Sequence, residues 1–226
     1  MTGGGLAFDH LVVAARTLAE GVAWCEATLG ITPGAGGRHP LMGTHNRLFS
    51  IASAGFPRAY FEIIAIDPDA AAPARARWFD LDSAALQASL AHGPQLIHWV
   101  ARCANLDACR ADWAARGIDR GAAVAASRET PQGLLRWRIS VRDDGARLFD
   151  GALPTLIEWG EVHPADAMPA SGVRLESLSV GRLPADAASL LAIDAVSFDP
   201  SGPALRARWM TPLGRVELQS GPARRA

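Results

Sequence analysis

The chain has 226 residues, 49% of them hydrophobic and 20% charged, with a formal net charge of -1, the composition of an ordinary globular protein of one or two domains. Its 22 basic residues against 23 acidic ones leave no basic excess of the kind that duplex DNA or an anionic membrane surface demands. All the basic residues are arginine, which excludes lysine Schiff-base chemistry and phosphate-loop lysines. Cys25, Cys103 and Cys109 form no CxxC spacing, so a disulfide framework and a thiolate zinc site are not expected and a reducing, cytoplasmic compartment is. Residues 1–11 lack the basic start and long apolar core of a secretory signal, and no apolar run approaches the roughly 18 residues that span a bilayer.

In chain order, FDHLVV from Phe8 reads as a strand. TLAEGVAWCEATLG then reads as an amphipathic helix, with Thr17 and Glu20 at capping-box spacing, Leu18, Val22, Cys25 and Leu29 at helical spacing, and Gly30 as terminator. Strands are expected at 47–52 and 59–66, and another around the glycine-rich stretch 34–37. An alanine- and proline-rich connector, DPDAAAPARAR, leads to a helix around 83–91. The same order then recurs: LIHWVA is a strand, NLDACRADWAARG a helix capped by Asn105 and ended by Gly117, and LLRWRISV and LPTLIEWG are later strands. Trp24 and Gly30 follow His10 as Trp113 and Gly117 follow His98, to within one residue. Such recurrence marks an internal repeat. A shorter third copy begins at LESLSV, continues through a helix near 185–191 and closes with ALRARWM and GRVELQS, with Ser177 in the histidine's place and Glu217 in the glutamate's.

The expected organisation is a first βαβββ module over 6–66, a connector or lid over 67–93, a second module over 94–162 and a shorter, degenerate third module over 172–220. Strand alternation puts residues two apart on one face. Phe8, His10 and Val12 are thereby expected to share a face of the opening strand, and Tyr60, Glu62 and Ile64 a face of the closing strand. The second module offers Leu96, His98 and Val100 with Leu156, Glu158 and Gly160. If the modules pair about a pseudo-twofold axis, His10, Glu62, His98 and Glu158 converge, and two imidazoles with two carboxylates suit a divalent metal.

These four residues, in FDHLVV, AYFEII, LIHWVA and TLIEWG, resemble the ligand pattern of glyoxalase I in the vicinal oxygen chelate superfamily. A closer likeness is to longer bacterial glyoxalase-like proteins carrying stretches such as GTHNRL, LRWRIS and LIEWGEVHP. The resemblance implies an α+β fold of paired βαβββ modules, the glyoxalase/bleomycin resistance/dihydroxybiphenyl dioxygenase fold, forming a cupped sheet. It also implies one divalent ion (Ni, Zn, Co, Mn or Fe) on His10, Glu62, His98 and Glu158. The activity implied is that of a metal-dependent lyase or isomerase acting on a small molecule with vicinal oxygens through an enediolate-type intermediate, with Glu158 as base and Glu62 its near-symmetric rival.

Among the remaining residues, His45, Asn46 and Arg47 in LMGTHNRLFSI, with His39 in the preceding loop, are candidates for substrate contact or for turn capping. Arg136 and Arg138 alternate with Trp137 and Ile139, so they share a face. They suit a substrate carboxylate or phosphate if that face lines the cup, and are a charged surface otherwise. Alternation turns Trp99 and Trp159 away from the ligands, toward the helices, where Trp24 and Trp113 also belong to the core. His92 and His163 have no assigned role. Because such modules work in pairs, the third one suggests a homodimer. Two other readings share the superfamily resemblance: an extradiol-type or fosfomycin-resistance-type enzyme using two histidines and one carboxylate, and a metal-free protein that sequesters a drug or metabolite.

Overall fold

The computed structural model describes residues 5–131 and 133–221. The first repeat folds as β1 (Ala7–Ala14), α1 (Leu18–Leu29), β2 (Arg38–His39), β3 (Thr44–Ser50) and β4 (Tyr60–Ile66), and the connector carries α2 (Ala84–Leu90). The second repeat folds as β5 (Gln95–Arg102), α3 (Leu106–Ala114), β6 (Ala122–Thr130), β7 (Gly133–Val141) and β8 (Thr155–Trp159). The helix ends are set as the sequence predicts. Thr17 Oγ1 accepts from Glu20 N at 3.1 Å and Asn105 Oδ1 from Ala108 N at 2.9 Å, while Gly30 takes the left-handed conformation that closes α1 at φ 72°. The glycine-rich stretch 34–37 makes only an isolated bridge, Gly34 to Leu48, and the two-residue β2 follows it. β6 falls on AAVAASRET, too rich in alanine to announce itself as a strand.

The eight strands form one curled sheet in the order β2-β3-β4-β1-β5-β8-β7-β6. β1 and β5 pair antiparallel at its centre, each flanked by the closing strand of its own module in parallel. His10 lies opposite Val100 and Val12 opposite His98, so a pseudo-twofold axis between the strands exchanges His10 with His98. This is the α+β fold of paired βαβββ modules.

The convex face carries Leu11, Val13, Phe61, Trp99 and Leu156, covered by α1 and α3. It is also covered by a second sheet, β10-β9-β11-β12, formed from β9 (Arg174–Val180), β10 (Val196–Phe198), β11 (Leu205–Thr211) and β12 (Gly214–Gln219), with α4 (Ala185–Ser189) between β9 and β10. This third unit repeats the βαβββ element order with a different strand order: β9 sits between β10 and β11 rather than beside its last strand. Its fully buried Trp209 meets Phe61 edge-on at 5.3 Å, and Leu175 N donates to Ile51 O at 3.1 Å. The apolar side of the extra sheet is thus satisfied within the chain, which removes the reason for expecting it to pair with a second copy.

The concave face is equally occupied. The connector descends into the cup and buries Trp78, Phe79, Leu81, Leu86 and Leu90 against Ile97, Val100 and Val141. Phe79 and Asp80 both sit in the left-handed region, at φ 61° and 59°, a conformation that disfavours L side chains by about 1–2 kcal/mol each. Asp80 holds the turn: its N–H donates to Gly145 O at 3.0 Å and its carboxylate accepts from Arg147 Nε at 2.9 Å. No helix among the described residues is long and apolar enough to cross a membrane.

Candidate active site

What remains of the cup is a small cavity of about 40 Å³. Its polar wall is His10, His39, Asn46, Tyr60 and Glu62 of the first module. Its apolar wall is Leu135, Trp137, Ile139, Ile157 and Trp159 of the second, with Trp78 and Phe79 of the connector closing one side.

The position of His10 depends on a bulge. β1 and β5 shift register between Phe8 and His10, an extra residue that turns the neighbouring side chains. Phe8 therefore goes to the convex core, stacked on Trp99 at 6.1 Å, rather than sharing a face with His10. Asp9, fully buried, turns beside His10 and accepts from its Nδ1 at 2.6 Å. The second oxygen of Asp9 accepts from Trp159 Nε1 at 3.1 Å and from His163 Nε2 at 3.0 Å. His163 Nδ1 accepts from Ala165 N at 3.1 Å, which fixes its proton on Nε2. Burial alone would raise the Asp9 pKa, but the hydrogen bonds from His10 and His163 outweigh it and hold the carboxyl well below its usual range. An ionised carboxylate thus holds His10 with its proton on Nδ1 and its Nε2 aimed into the cavity. Neither Asp9 nor His163 is singled out by the sequence, and the alternation rule misplaces Trp159, which lies on the concave side.

Glu62 faces that nitrogen, with Oε2 at 3.6 Å from His10 Nε2. Its other oxygen accepts from Asn46 Nδ2 at 2.6 Å, and Asn46 Oδ1 in turn accepts from Gly37 N at 2.8 Å. The His10 ring stacks on Tyr60 at 4.4 Å. Burial, reinforced by Asp9 and Glu62, pushes the Tyr60 hydroxyl well above its ordinary pKa, so it stays protonated. His39 bonds Thr44 Oγ1 through Nδ1 at 3.0 Å. Burial first, then the Arg128 charge, lower its pKa to about 3. Glu62 thus stands with one oxygen anchored and the other free, opposite an imidazole that is itself anchored.

The second half-site is built differently. His98 is fully buried. Its Nδ1 donates to Gly151 O at 3.2 Å, and its Nε2 accepts from Thr155 Oγ1 at 3.0 Å and Thr155 N at 3.2 Å. Arg120 Nη2 donates to the same hydroxyl at 2.7 Å, and Phe79 covers the ring at 5.0 Å. Burial, followed by the Arg120 and Arg147 charges, pushes the His98 pKa well below its ordinary value. Both ring nitrogens of this neutral histidine are committed.

Glu158 lies on the opposite face of the sheet. Thr155 is opposite Val100 and Ile157 opposite Arg102, so the concave positions of β8 are Thr155, Ile157 and Trp159, and Glu158 points toward α3. There Oε2 accepts from Leu106 N at 2.6 Å and lies 3.6 Å from Arg138 Nη1. It satisfies a free N–H at the positive end of the helix. Arg136 and Arg138 share that convex side in a shallow groove with Glu158, and Arg138 is bonded to Asp107 at 2.7 Å. Of His45, Asn46 and Arg47, only Asn46 lines the cavity, with Leu48 of the same strand beside it. Arg47 is exposed, and His45 lies on the other side near Asp67 at 3.9 Å.

The four-ligand arrangement is therefore corrected: His10 and Glu62 meet, and His98 and Glu158 do not join them. Among the described residues no group of three or more histidine, cysteine, aspartate or glutamate side chains is placed to hold a metal ion. A divalent ion does not fit this donor set, since Glu158 is across the sheet and His98 has no free lone pair. The two-histidine, one-carboxylate arrangement of the oxygenase reading fails at His98 for the same reason.

A cupped sheet of paired βαβββ modules, with His10 and Glu62 facing each other in its concavity, defines the class. Residues 8–193 match the family model of the Glyoxalase-like domain, and the chain belongs to that family. Among solved structures, a hypothetical protein from Staphylococcus aureus is similar at a TM-score of 0.60 and 15% identity, covering 96% of this chain and 86% of that one. Methylmalonyl-CoA epimerase from Mycobacterium tuberculosis is similar at a TM-score of 0.40 and 15% identity, covering 70% and 91%. The Streptomyces coelicolor enzyme of that name, in complex with 2-nitronate-propionyl-CoA, gives 0.44 and 17%, covering 70% and 99%. No curated protein matches the chain.

Proposed function

We propose that the protein is a cytoplasmic isomerase or lyase that moves a proton on a small molecule with neighbouring oxygens, using Glu62 and His10 rather than a metal-held pair of carboxylates. The observation that carries this reading is the 3.6 Å approach of Glu62 Oε2 to His10 Nε2 at the wall of the cavity, with each group fixed from behind by a buried partner. Glu62 takes a proton from a carbon next to a carbonyl, and the electron pair of that bond moves onto the oxygen. His10 Nε2, beside Glu62, takes the proton of the ligand's neighbouring hydroxyl and returns it to the oxygen that gained the electron pair, while ionised Asp9 stabilises the imidazolium that forms. Returning the proton to the neighbouring carbon completes an isomerisation; expelling a leaving group completes an elimination. The apolar wall strengthens these charge interactions by excluding water.

The test is deuterium incorporation at carbon. The protein is incubated in D2O with a panel of small 2-hydroxy and 2-oxo compounds and followed by NMR. Exchange that is lost in Glu62→Gln and retained in Glu158→Gln supports the reading; exchange equally lost in both, or unaffected by Glu62→Gln, overturns it. The aromatic lining by Trp78, Trp137 and Trp159 also suits simple sequestration of a planar molecule. That reading is reached if a compound binds the cavity and no panel member exchanges.

A further inference from the structure

The cavity opens past Leu48, Leu135 and Pro164 into an outer cleft between the 32–36 loop, the end of β6 and the segment 162–171. Arg128, near the end of β6, lines both spaces, and it is the one arginine among the described residues that does so. Its side chain crosses the backbone of Gly37 so closely that a Cβ there would stand 2.0 Å from Nη1 and 2.6 Å from Cζ. Nη1 is buried and has no hydrogen-bond partner among the described residues. A guanidinium is a five-donor group, and an unsatisfied buried donor is destabilising unless a partner arrives. The acidic groups around it, Glu62 in the cavity with ionised Asp9 behind it and Glu129 in the cleft, are carboxylates and would repel an anion that found no cation. Arg128 also acts electrostatically on two residues of the polar wall, His39 and Tyr60.

We propose that Arg128 is the receptor for a carboxylate of the ligand, so that this cup takes small carboxylate-bearing molecules whose acidic carbon is set toward Glu62. The orientation of that carbon rests on the acid–base reading above; the anion site itself does not. Arginine matches a carboxylate with two parallel N–H donors, an interaction that lysine cannot copy. The ligand's charged end then stays at the neck between cleft and cavity, and its reacting end enters the apolar chamber.

The probes are glycolate and its neutral isostere glycolamide, titrated into the full chain and read by quenching of Trp78, Trp137 and Trp159. Glycolate is expected to saturate the signal, and glycolamide to bind at least about tenfold more weakly. Arg128→Gln is expected to weaken glycolate at least about tenfold and to leave glycolamide unchanged, at an unaltered melting temperature; Arg128→Lys recovers only part of the loss. Gly37→Ala displaces the guanidinium without removing it and is expected to reproduce the loss. The proposal is overturned by absence of saturable glycolate binding, by equal affinity for the two probes, or by glycolate affinity unchanged in Arg128→Gln. Glu62→Gln keeps the two readings apart. Arg128-dependent binding without deuterium exchange retains the anion site and removes the acid–base reading, whereas exchange that is insensitive to Arg128→Gln does the reverse.

Discussion

Thr155 stands in the second module where Glu62 stands in the first. Val12 lies opposite Glu62 in the β1–β4 pair, and Val100, its mate across the pseudo-twofold axis, lies opposite Thr155 in the β5–β8 pair. One half of the cup therefore offers a carboxylate facing an imidazole. In the other half a hydroxyl closes on its imidazole and is in turn held by Arg120. The symmetry of the backbone is kept while the side chains differ: the first module supplies a facing histidine and glutamate, and the second supplies a locked polar contact and the apolar wall.

Thr155→Val keeps shape and removes the hydroxyl that joins His98 to Arg120. It leaves buried Arg120 Nη2 without this acceptor and His98 Nε2 with the Thr155 N–H alone, and is expected to destabilise the fold by about 1–3 kcal/mol, read by urea denaturation. A variant as stable as the parent would show that this contact is not satisfied as described. Dialysis against a chelator, or addition of nickel or zinc, is expected to leave the melting temperature and deuterium exchange of the parent protein unchanged, because the donor set does not close around an ion. A metal-dependent rise in melting temperature that disappears in His98→Gln would contradict this.

The two glutamates are expected to separate function from stability. Glu62→Gln retains the hydrogen bond from Asn46 and loses the base, so exchange falls by about 10²- to 10⁴-fold with little change in folding. Glu158→Gln weakens the cap at the start of α3, and about 0.5–2 kcal/mol of stability is expected to go with exchange maintained. Thermal melts and exchange rates measured on the same samples decide the matter, and the reverse pattern would restore Glu158 as the base.

His39 gives the site a signature in acid. Its folded pKa lies at about 3 against an ordinary 6.5, so below about pH 6.5 the unfolded chain binds a proton that the folded chain refuses. Its contribution to stability is complete above that pH and is lost as the pH falls toward the folded value, at about 1.4 kcal/mol per pH unit. His39→Gln should therefore show a shallower decline than the parent between pH 6 and pH 4, by about that slope. Parallel declines would mean that the folded imidazole titrates normally.

Phe79 fills the cup above His98 from a left-handed backbone position. Phe79→Ala removes a buried ring and is expected to destabilise the protein by about 3–5 kcal/mol. Phe79→Gly relieves the backbone strain as well and should lie about 1 kcal/mol above the alanine variant. Denaturation midpoints of the pair measure the difference, and alanine equal to or above glycine would refute the strain.

Much of the fold was legible in the residues themselves. The repeated order of strand, histidine, helix, helical tryptophan and glycine marked two modules, because helical periodicity and caps are local properties. His10 and Glu62 could be picked out because an ionisable side chain inside an apolar strand stands out against period-two alternation, and Asn46 only as part of the polar run 45–47. Other features were hidden for particular reasons. β6 is alanine-rich, so Arg128 had no strand to be read on. A single bulged residue at Asp9 parted Phe8 from His10 and brought an unsuspected carboxylate into the site.

The amino-acid order determined the module count, the helix caps and the presence of one histidine and one glutamate near the strands of each module. Tertiary structure decided which of them meet. Facing in a sheet depends on register between strands distant in the chain, and a shift of one residue moves a side chain through the sheet to the other side. Register placed Thr155, not Glu158, at the position equivalent to Glu62, and it left His98 under Phe79 of the connector.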